Sequence, residues 1–189
     1  MRKEDILKLL PIETERMRLR VATLNDNYLI QEAKESCDAN VLRRWMSWSS
    51  DEGMSMLGTV NYLNMVSATT NKRNIALLGV DKWTGEHILS TGLDAEEDDF
   101  QTVSTGWWLS SANQGKGFAY EGMNALIQFC RDHNICQKLM ANHYEGNVRS
   151  QKLMHRLGFQ HFRTEAKAHR CHLNGEMMDV LNYELEIRE

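Results

Sequence analysis

Apolar and polar positions follow two different rhythms in the first 70 residues of the chain. Met17, Leu19 and Val21 recur at every second residue, which is the spacing of a β-strand. The apolar positions of residues 23–36, 39–46 and 49–70 instead recur at roughly helical spacing. This part of the chain is therefore predicted to form one strand followed by three helices.

The middle of the chain is predicted to form an antiparallel meander. Three strand-like runs cover residues 74–83, 87–95 and 100–111. A Thr-Gly-Glu turn at 84–86 separates the first two runs, and the acidic segment 94–99 separates the last two. A solvated turn is the main interpretation of that acidic segment, although it could also attract a cationic acceptor.

The rest of the chain is predicted to alternate helix and strand before a final hairpin. The predicted helices are 117–131 and 147–159, and the predicted strands are 137–145, 159–168 and 176–187. Because a helix crosses over between strands 100–111 and 137–145, those two strands should run parallel. The expected fold class is α+β, with a mixed, mostly antiparallel sheet flanked by helices.

Composition narrows the class of protein. A length of 189 residues favours a single domain, 1–189, in which residues 1–13 form an N-terminal extension. A net charge of −4 argues against a nucleic-acid partner, and the absence of a long apolar run argues against a membrane one. The four cysteines form no CxxC pair, so we expect no metal site and a cytoplasmic location.

The segment 113–121, "NQGKGFAYE", lies where a predicted strand meets a predicted helix. A dinucleotide-binding GxGxxG is excluded because Tyr120 occupies the third glycine position, and no GxxxxGK[ST] is present. The backbone amides of residues 115–119 could still converge on an anion at the helix start. A plain turn with packing glycines explains the same residues, and both interpretations stay open at this point.

A second segment one helix and one strand further on changes the picture. Gln114-x-x-Gly117-x-Ala119 and Asn147-x-x-Ser150, the latter followed by Leu-Gly-Phe at 157–159, resemble the two cofactor motifs of the GNAT acetyltransferase superfamily. The stretches 14–20, 106–117 and 173–185 resemble the RimJ/RimL branch, which acetylates the N-termini of ribosomal proteins. This resemblance covers nearly the whole chain from Thr14 and implies a GNAT fold with a splayed pair of parallel strands.

The resemblance implies acetyl-coenzyme A as the co-substrate and no metal ion. The diphosphate would lie on the backbone amides of residues 114–119, and the pantetheine arm would pair with the edge of the strand at 108–110. The side chain of Asn147 would bind the same arm or would only cap the following helix. The implied cofactor-binding residues are Trp108, Leu109, Ser110, Gln114, Gly115, Lys116, Gly117, Phe118, Ala119 and Asn147.

The family transfers the acetyl group directly to an amine, which requires an acid and a base. Many members carry a tyrosine acid at the position of Met154, and this chain lacks it. RimL-type enzymes resemble this chain in having a serine at the position of Ser150, which becomes the candidate acid. The base is open among His143, Tyr144, Glu145, His169 and His172.

Cys171 stands where RimL-type enzymes have a glutamate that has been considered as the base. A covalent acetyl-cysteine is disfavoured, because no partner base is placed by spacing and the family uses direct transfer. Trp45 and Trp48 correspond to the wall of the acceptor site in this branch, although core packing explains them equally well.

The acceptor remains the least defined part of the prediction. A protein N-terminal α-amine is favoured, of the ribosomal-protein type. The alternatives are a small amine, such as an antibiotic, polyamine or amino-acid derivative, and a non-catalytic module that binds acyl-CoA. Whether the chain forms a homodimer is left open.

Overall fold

One mixed sheet of nine strands organises residues 1–187, the part of the chain that the computed structural model describes. The strands are β1 (Ile12–Glu13), β2 (Met17–Val21), β3 (Asn74–Asp81), β4 (His87–Ala95), β5 (Thr102–Ser104), β6 (Trp107–Leu109), β7 (Lys138–Tyr144), β8 (Gln160–Arg170) and β9 (Met177–Glu186). They follow the order β1-β2-β3-β4-β5-β7-β9-β8, and β6 pairs with β4. Among the described strands, only β5 and β7 pair in parallel, which confirms the predicted fold class.

Helices cover both faces of this sheet. They are α1 (Lys3–Leu7), α2 (Asn27–Glu35), α3 (Ala39–Trp45), α4 (Asp51–Met54), α5 (Met56–Ser67), α6 (Phe118–Asp132) and α7 (Val148–Leu157). Short 3₁₀ turns occupy Leu24–Asp26 and Ser111–Asn113. No helix within residues 1–187 combines the length and apolarity needed to cross a membrane.

The prediction of one helix over 49–70 is wrong, because the chain forms α4 and α5 there. Ser50 caps α4 by accepting a hydrogen bond from the Gly53 amide, and Ser55 caps α5 by accepting one from the Gly58 amide. Ser55 has extended backbone angles, so it ends the first helix and begins the second.

The prediction of one strand over 100–111 is also wrong, because the chain breaks into β5 and β6 at Thr105-Gly106. The Thr105 hydroxyl donates to the Gly92 carbonyl and the Thr91 hydroxyl donates to the Gly106 carbonyl, both at 2.8 Å. Before the break, β5 pairs with both β4 and β7. After it, β6 pairs with β4 alone among the described strands, so a gap opens between β6 and β7.

Apolar side chains fill the space on both faces of the sheet. In β3, Ile75 and Leu77 belong to the larger core, while Ala76 and Leu78 belong to the smaller one. Neighbouring residues separate in this way because successive side chains of a strand point to opposite faces. In β6, Trp107 packs against the larger core and Trp108 against the smaller one, as their alternation predicts.

The N-terminal segment 1–13 packs against the rest of the chain. Ile6 of α1 is fully buried in the larger core, and Ile12 of β1 pairs with Leu19 of β2. The Lys3 ammonium donates to the carbonyls of Val66 near the end of α5 and of Asn71 beyond it. These contacts extend the edge of the sheet by one short strand.

Two glycines near the strand break have opposite surroundings. A Cβ atom on Gly92 would lie 2.6 Å from the Ile75 carbonyl oxygen of the neighbouring strand, which is too close for real atoms. A Cβ atom on Gly106 would meet no atom within 4 Å. Only Gly92 therefore requires the absence of a side chain.

This difference predicts the stability of two matched variants. Gly92→Ala should lower the free energy of unfolding by about 1–3 kcal/mol, because the backbone of β3 must shift to admit the methyl group. Gly106→Ala should be neutral or should stabilise by up to about 1 kcal/mol through the unfolded chain. Urea unfolding monitored by circular dichroism measures both, and equal effects of the two substitutions would contradict this account.

Candidate active site

A cavity of about 490 Å³ opens where β6 separates from β7. Its wall includes residues from α2 to α5 on one side and from β3, β4 and β6 on the other. Asn147 and Ser150, at the start of α7, also line this cavity. The strand gap and the helices before β3 thus share one internal volume.

The glycine segment forms a tight turn directly before α6. Gly115 and Gly117 both have left-handed backbone angles, with φ of 73° and 83°. Gly117 is the N-cap residue and no side chain caps the helix, so the first amide groups of α6 have no capping acceptor among the described residues. Amide donors at the positive end of a helix of this length form a natural anion site.

The side chains of this turn differ in their exposure to solvent. Gln114 and Lys116 are exposed, Ala119 is half-buried, and Phe118 packs into the larger core. The side-chain oxygen Oε1 of Gln114 accepts a hydrogen bond of 3.1 Å from Arg149 in the first turn of α7. This contact joins the two sequence motifs, which are more than 30 residues apart.

Arg16 and Glu121 fasten the glycine turn to the N-terminal strands. The Glu121 carboxylate accepts hydrogen bonds from the Thr14 hydroxyl, at 2.6 Å, and from the Arg16 amide and Nε, at 2.8 and 2.6 Å. The Arg16 Nη1 donates to the Lys116 carbonyl at 3.0 Å, and its guanidinium lies 4.0 Å from the centre of the Phe118 ring. Sequence reasoning missed both Arg16 and Glu121.

The charge of Glu121 is balanced within this contact. Burial alone would raise the pKa of Glu121, but the hydrogen bonds from Thr14 and Arg16 outweigh it and hold the pKa below its usual value. A carboxylate in the first turn of α6 would otherwise weaken an anion site at that helix end. Its pairing with Arg16 removes much of this conflict.

The strand β6 borders the gap on the side opposite β7. The Ser110 side chain is buried and donates to the His87 carbonyl at 3.0 Å, while accepting a 2.8 Å hydrogen bond from Asn113. Leu109 pairs with Leu89 of β4. The opposite edge of β6 pairs with no described strand, so its backbone groups are available to an extended ligand.

Trp108 belongs to a stack of rings behind this edge. Its ring lies 4.9 Å from that of His87 and 5.5 Å from that of Trp48. Burial lowers the pKa of His87 to about 4, so the imidazole is neutral at pH 7 and stacks as an apolar ring. Trp45 and Trp48 both line the cavity, and Trp45 also packs against Tyr144 and Cys171.

Asn147 and Ser150 meet at the start of α7. The Asn147 side-chain oxygen accepts a 3.2 Å hydrogen bond from the Ser150 amide, so this residue does cap the helix. Its amide NH₂ group remains for another acceptor, since no described residue takes it. The Ser150 hydroxyl likewise makes no hydrogen bond within residues 1–187, and the residue lines the cavity.

Met154 occupies the position at which many family members carry the tyrosine acid. Its side chain is buried in the larger core and is not part of the cavity wall. Ser150, one helical turn earlier, is therefore the hydroxyl of α7 that reaches the cavity.

Of the five candidate bases, three lie at the end of β7, and two of these line the cavity. His143 and Tyr144 are buried and line it, whereas Glu145 is exposed and lies outside its wall. Burial lowers the pKa of His143, against the effect of a hydrogen bond to the Tyr144 carbonyl. Burial raises the pKa of Tyr144, against the effect of a hydrogen bond with Ser47.

The neutral ring of His143 has a defined tautomer. Its Nδ1 lies 3.0 Å from the Tyr144 carbonyl and must carry the proton, because a carbonyl can only accept. Its Nε2 then accepts a hydrogen bond of 3.2 Å from the Tyr183 hydroxyl. To act as a base at Nε2, this ring must first release Tyr183.

The remaining candidates lie beside the cavity without lining it. His169 stacks on Tyr144 with 3.8 Å between ring centres, and His172 contacts the Ser47 carbonyl at 2.8 Å. Cys171 is buried, with its sulfur 3.7 Å from the Arg43 carbonyl. Cys171 and His172 thus connect the loop between β8 and β9 to α3 and to the residues just after it, whereas His169 connects β8 to β7. None of the three belongs to the cavity wall.

Lys34 is a cavity residue that sequence reasoning missed. It lies on α2, is 7% exposed, and contributes an ammonium group to the wall. Within residues 1–187, no group of three or more His, Cys, Asp or Glu side chains is arranged to hold a metal ion.

Comparison with known proteins places this geometry in a family. The acetyltransferase (GNAT) domain matches residues 16–160, which is most of the chain. No curated protein is significantly similar to the chain in sequence.

Solved structures give the same fold. The ribosomal-protein-S5-alanine acetyltransferase from Vibrio fischeri is 20% identical, with a TM-score of 0.81 over 95% of this chain and 98% of that one. RimL, the ribosomal L7/L12 α-N-protein acetyltransferase, was solved with coenzyme A and is 17% identical, with a TM-score of 0.82 over 94% and 98%. The microcin C7 self-immunity acetyltransferase MccE was solved with acetyl-CoA and AMP and is 19% identical, with a TM-score of 0.78 over 91% and 93%.

The predicted resemblance is confirmed by the domain match and by the shared fold. The chain is an acetyltransferase and belongs to the GNAT family.

Proposed function

We propose that this chain transfers the acetyl group of acetyl-CoA to the α-amino group of a protein N-terminus. The observation that carries the proposal is the cavity that joins the gap beside β6 to Ser150 and to the helices α2–α5. Two structural neighbours named for ribosomal-protein acetylation support the choice of acceptor. Such a substrate also fits a cytoplasmic enzyme.

The turn at residues 114–119 is the proposed site of the diphosphate. Gly115 and Gly117 have left-handed angles that favour glycine, and the missing N-cap side chain leaves the amide groups open. Backbone dipoles at the helix terminus supply positive potential without a metal ion. The free edge at Trp108–Ser110 and the amide of Asn147 would bind the pantetheine arm.

Acetyl-CoA supplies an activated thioester when it is bound. The backbone N–H of Trp108 or Leu109 would polarise the thioester carbonyl. Ser150 would donate its proton to the departing sulfur, since its hydroxyl lines the cavity without a hydrogen bond to a described residue, and it would regain a proton from the attacking nitrogen as the amide forms. His143 lines the cavity, and burial lowers its pKa, which favours the unprotonated ring. It would take the proton of the acceptor ammonium on releasing Tyr183.

A small amine is the second candidate acceptor. The cavity volume of about 490 Å³ falls in the range that small-molecule sites occupy, roughly 300–1,000 Å³. MccE, the microcin C7 self-immunity acetyltransferase, shares the fold. The Ser150 hydroxyl, which has no hydrogen-bond partner among the described residues, favours an acetyltransferase with either kind of acceptor over a module that only binds acyl-CoA.

The proposed function is tested by thermal unfolding and by thiol release. Acetyl-CoA should raise the unfolding temperature, and a concentration 100 times Kd corresponds to about 2.7 kcal/mol of stabilisation. Peptides with free N-termini should then release thiol faster than a panel of aminoglycosides, polyamines and amino acids. No thermal shift with millimolar acetyl-CoA would refute the cofactor assignment, and release with small amines alone would refute the protein acceptor.

A substitution at Ser150 tests the proposed acid. Ser150→Ala should lower kcat at least about 100-fold, which is the lower end of a typical acid–base contribution, with little change in KM for acetyl-CoA. Ser67→Ala, at the exposed end of α5, is the matched control and should leave both constants unchanged. Steady-state thiol release measures them, and a kcat equal to that of the unmodified enzyme would exclude Ser150 as the acid.

A further inference from the structure

Lys34 is a buried cation in the wall of the cavity. Its ammonium donates 2.8 Å hydrogen bonds to the Gly53 carbonyl and to the Thr59 hydroxyl. It also lies 5.1 Å from the centre of the Trp48 ring. The residue as a whole is only 7% exposed, so water reaches the charge poorly.

No carboxylate of residues 1–187 forms an ion pair with this ammonium. Burial is the cause that lowers the pKa of Lys34 to about 8, and no acidic neighbour opposes it. A buried charge without a counter-charge costs several kcal/mol in desolvation. A carboxylate brought into the cavity by a ligand would remove this cost.

A hydrogen-bond chain holds the ammonium in position. The Thr59 hydroxyl donates to the Gln31 side-chain oxygen at 2.8 Å, so its free lone pair accepts from Lys34. The Gln31 amide in turn donates to Glu35 at 2.8 Å and to the Met54 carbonyl at 3.1 Å. Two of the three ammonium N–H groups are thereby used, and the third has no acceptor among the described residues.

The Trp48 ring lies close to both the Lys34 ammonium and the Trp108 ring at the proposed reaction site. The Trp48 ring lies 5.1 Å from the ammonium and 5.5 Å from the Trp108 ring, which stands on the strand edge proposed to bind the thioester arm. Because both distances are measured to the Trp48 ring, the ammonium and the Trp108 ring are separated by at most roughly three residues of extended chain at about 3.4 Å each. An acceptor whose amine lies beside Trp108 could therefore place a group from one of its first three residues at Lys34.

We propose that Lys34 binds a carboxylate of the acceptor, so that the preferred substrates are amines that carry an acidic group within about three residues' length. This inference rests on the proposed transfer to an amine at the same site. The carboxylate could belong to an acidic side chain near a protein N-terminus or to a small amino-acid derivative. A polyamine is disfavoured, because its second ammonium would meet a like charge.

Direct binding tests the preference on the unmodified protein. Calorimetry in saturating CoA would compare the peptide amides Ser-Ala-Asp-NH₂ and Ser-Ala-Asn-NH₂, and 6-aminohexanoate with 6-aminohexanamide. The carboxylate member of at least one pair should bind about 10- to 100-fold more tightly, the range of a hydrogen bond to a charged group. The pair that shows the difference identifies the source of the carboxylate, and equal affinities within both pairs would overturn the proposal.

The Lys34→Met variant assigns the preference to this residue. Methionine keeps most of the length without the charge, so the difference within the pair should disappear while the affinity of the amide member stays unchanged. Lys8→Met, at an exposed lysine of the N-terminal segment, removes the same net charge and should leave the preference intact. A full preference in Lys34→Met would contradict the assignment.

Thiol release with the same compounds separates this inference from the proposed function. Binding that prefers the carboxylate without turnover on any amine would uphold the Lys34 site and refute the transfer reaction. Turnover that is equal for the two members of each pair, with equal affinities, would uphold the transfer and refute the Lys34 site.

Discussion

The break between β5 and β6 is the constraint on which the site depends. Two threonine hydroxyls, from Thr91 and Thr105, donate to the carbonyls of Gly106 and Gly92 and so satisfy backbone groups at the break. The sheet is continuous through β5 and β7 before this point and is open between β6 and β7 after it. The gap supplies a free strand edge for an extended ligand, and it also opens the cavity beneath it.

The glycine turn takes its orientation from a contact across the whole chain. Arg16 and Glu121 are 105 positions apart, and their hydrogen bonds fix the first turn of α6 against the N-terminal strands. The same contact neutralises the one carboxylate in that turn, so the helix end can still attract an anion. The proposed cofactor site thus combines a local feature, two left-handed glycines, with a long-range electrostatic one.

The spacing of apolar residues was sufficient to predict most helices and strands, but not the points at which they are interrupted. The meander, the crossover helix, the parallel pair and the final hairpin follow from local patterns and from the handedness of crossovers. The helix break at Ser55 and the strand break at Thr105 depend on hydrogen bonds between side-chain hydroxyls and backbone groups. The pattern of apolar residues carries no information about these hydrogen bonds. The candidate site divides in the same way: its two motifs are readable locally, whereas Arg16, Glu121 and Lys34 become functional candidates only through contacts with distant elements.

In the proposed reaction, backbone amides of the glycine turn hold the diphosphate of coenzyme A, and its lysine does not. Calorimetric titration of CoA into Gly117→Trp and Lys116→Ala distinguishes the two, because the substitutions are adjacent. We expect Gly117→Trp to lose measurable binding, while the exposed Lys116 can be replaced with a change in Kd of about tenfold or less. Retained affinity in Gly117→Trp, or a complete loss in Lys116→Ala, would contradict this expectation.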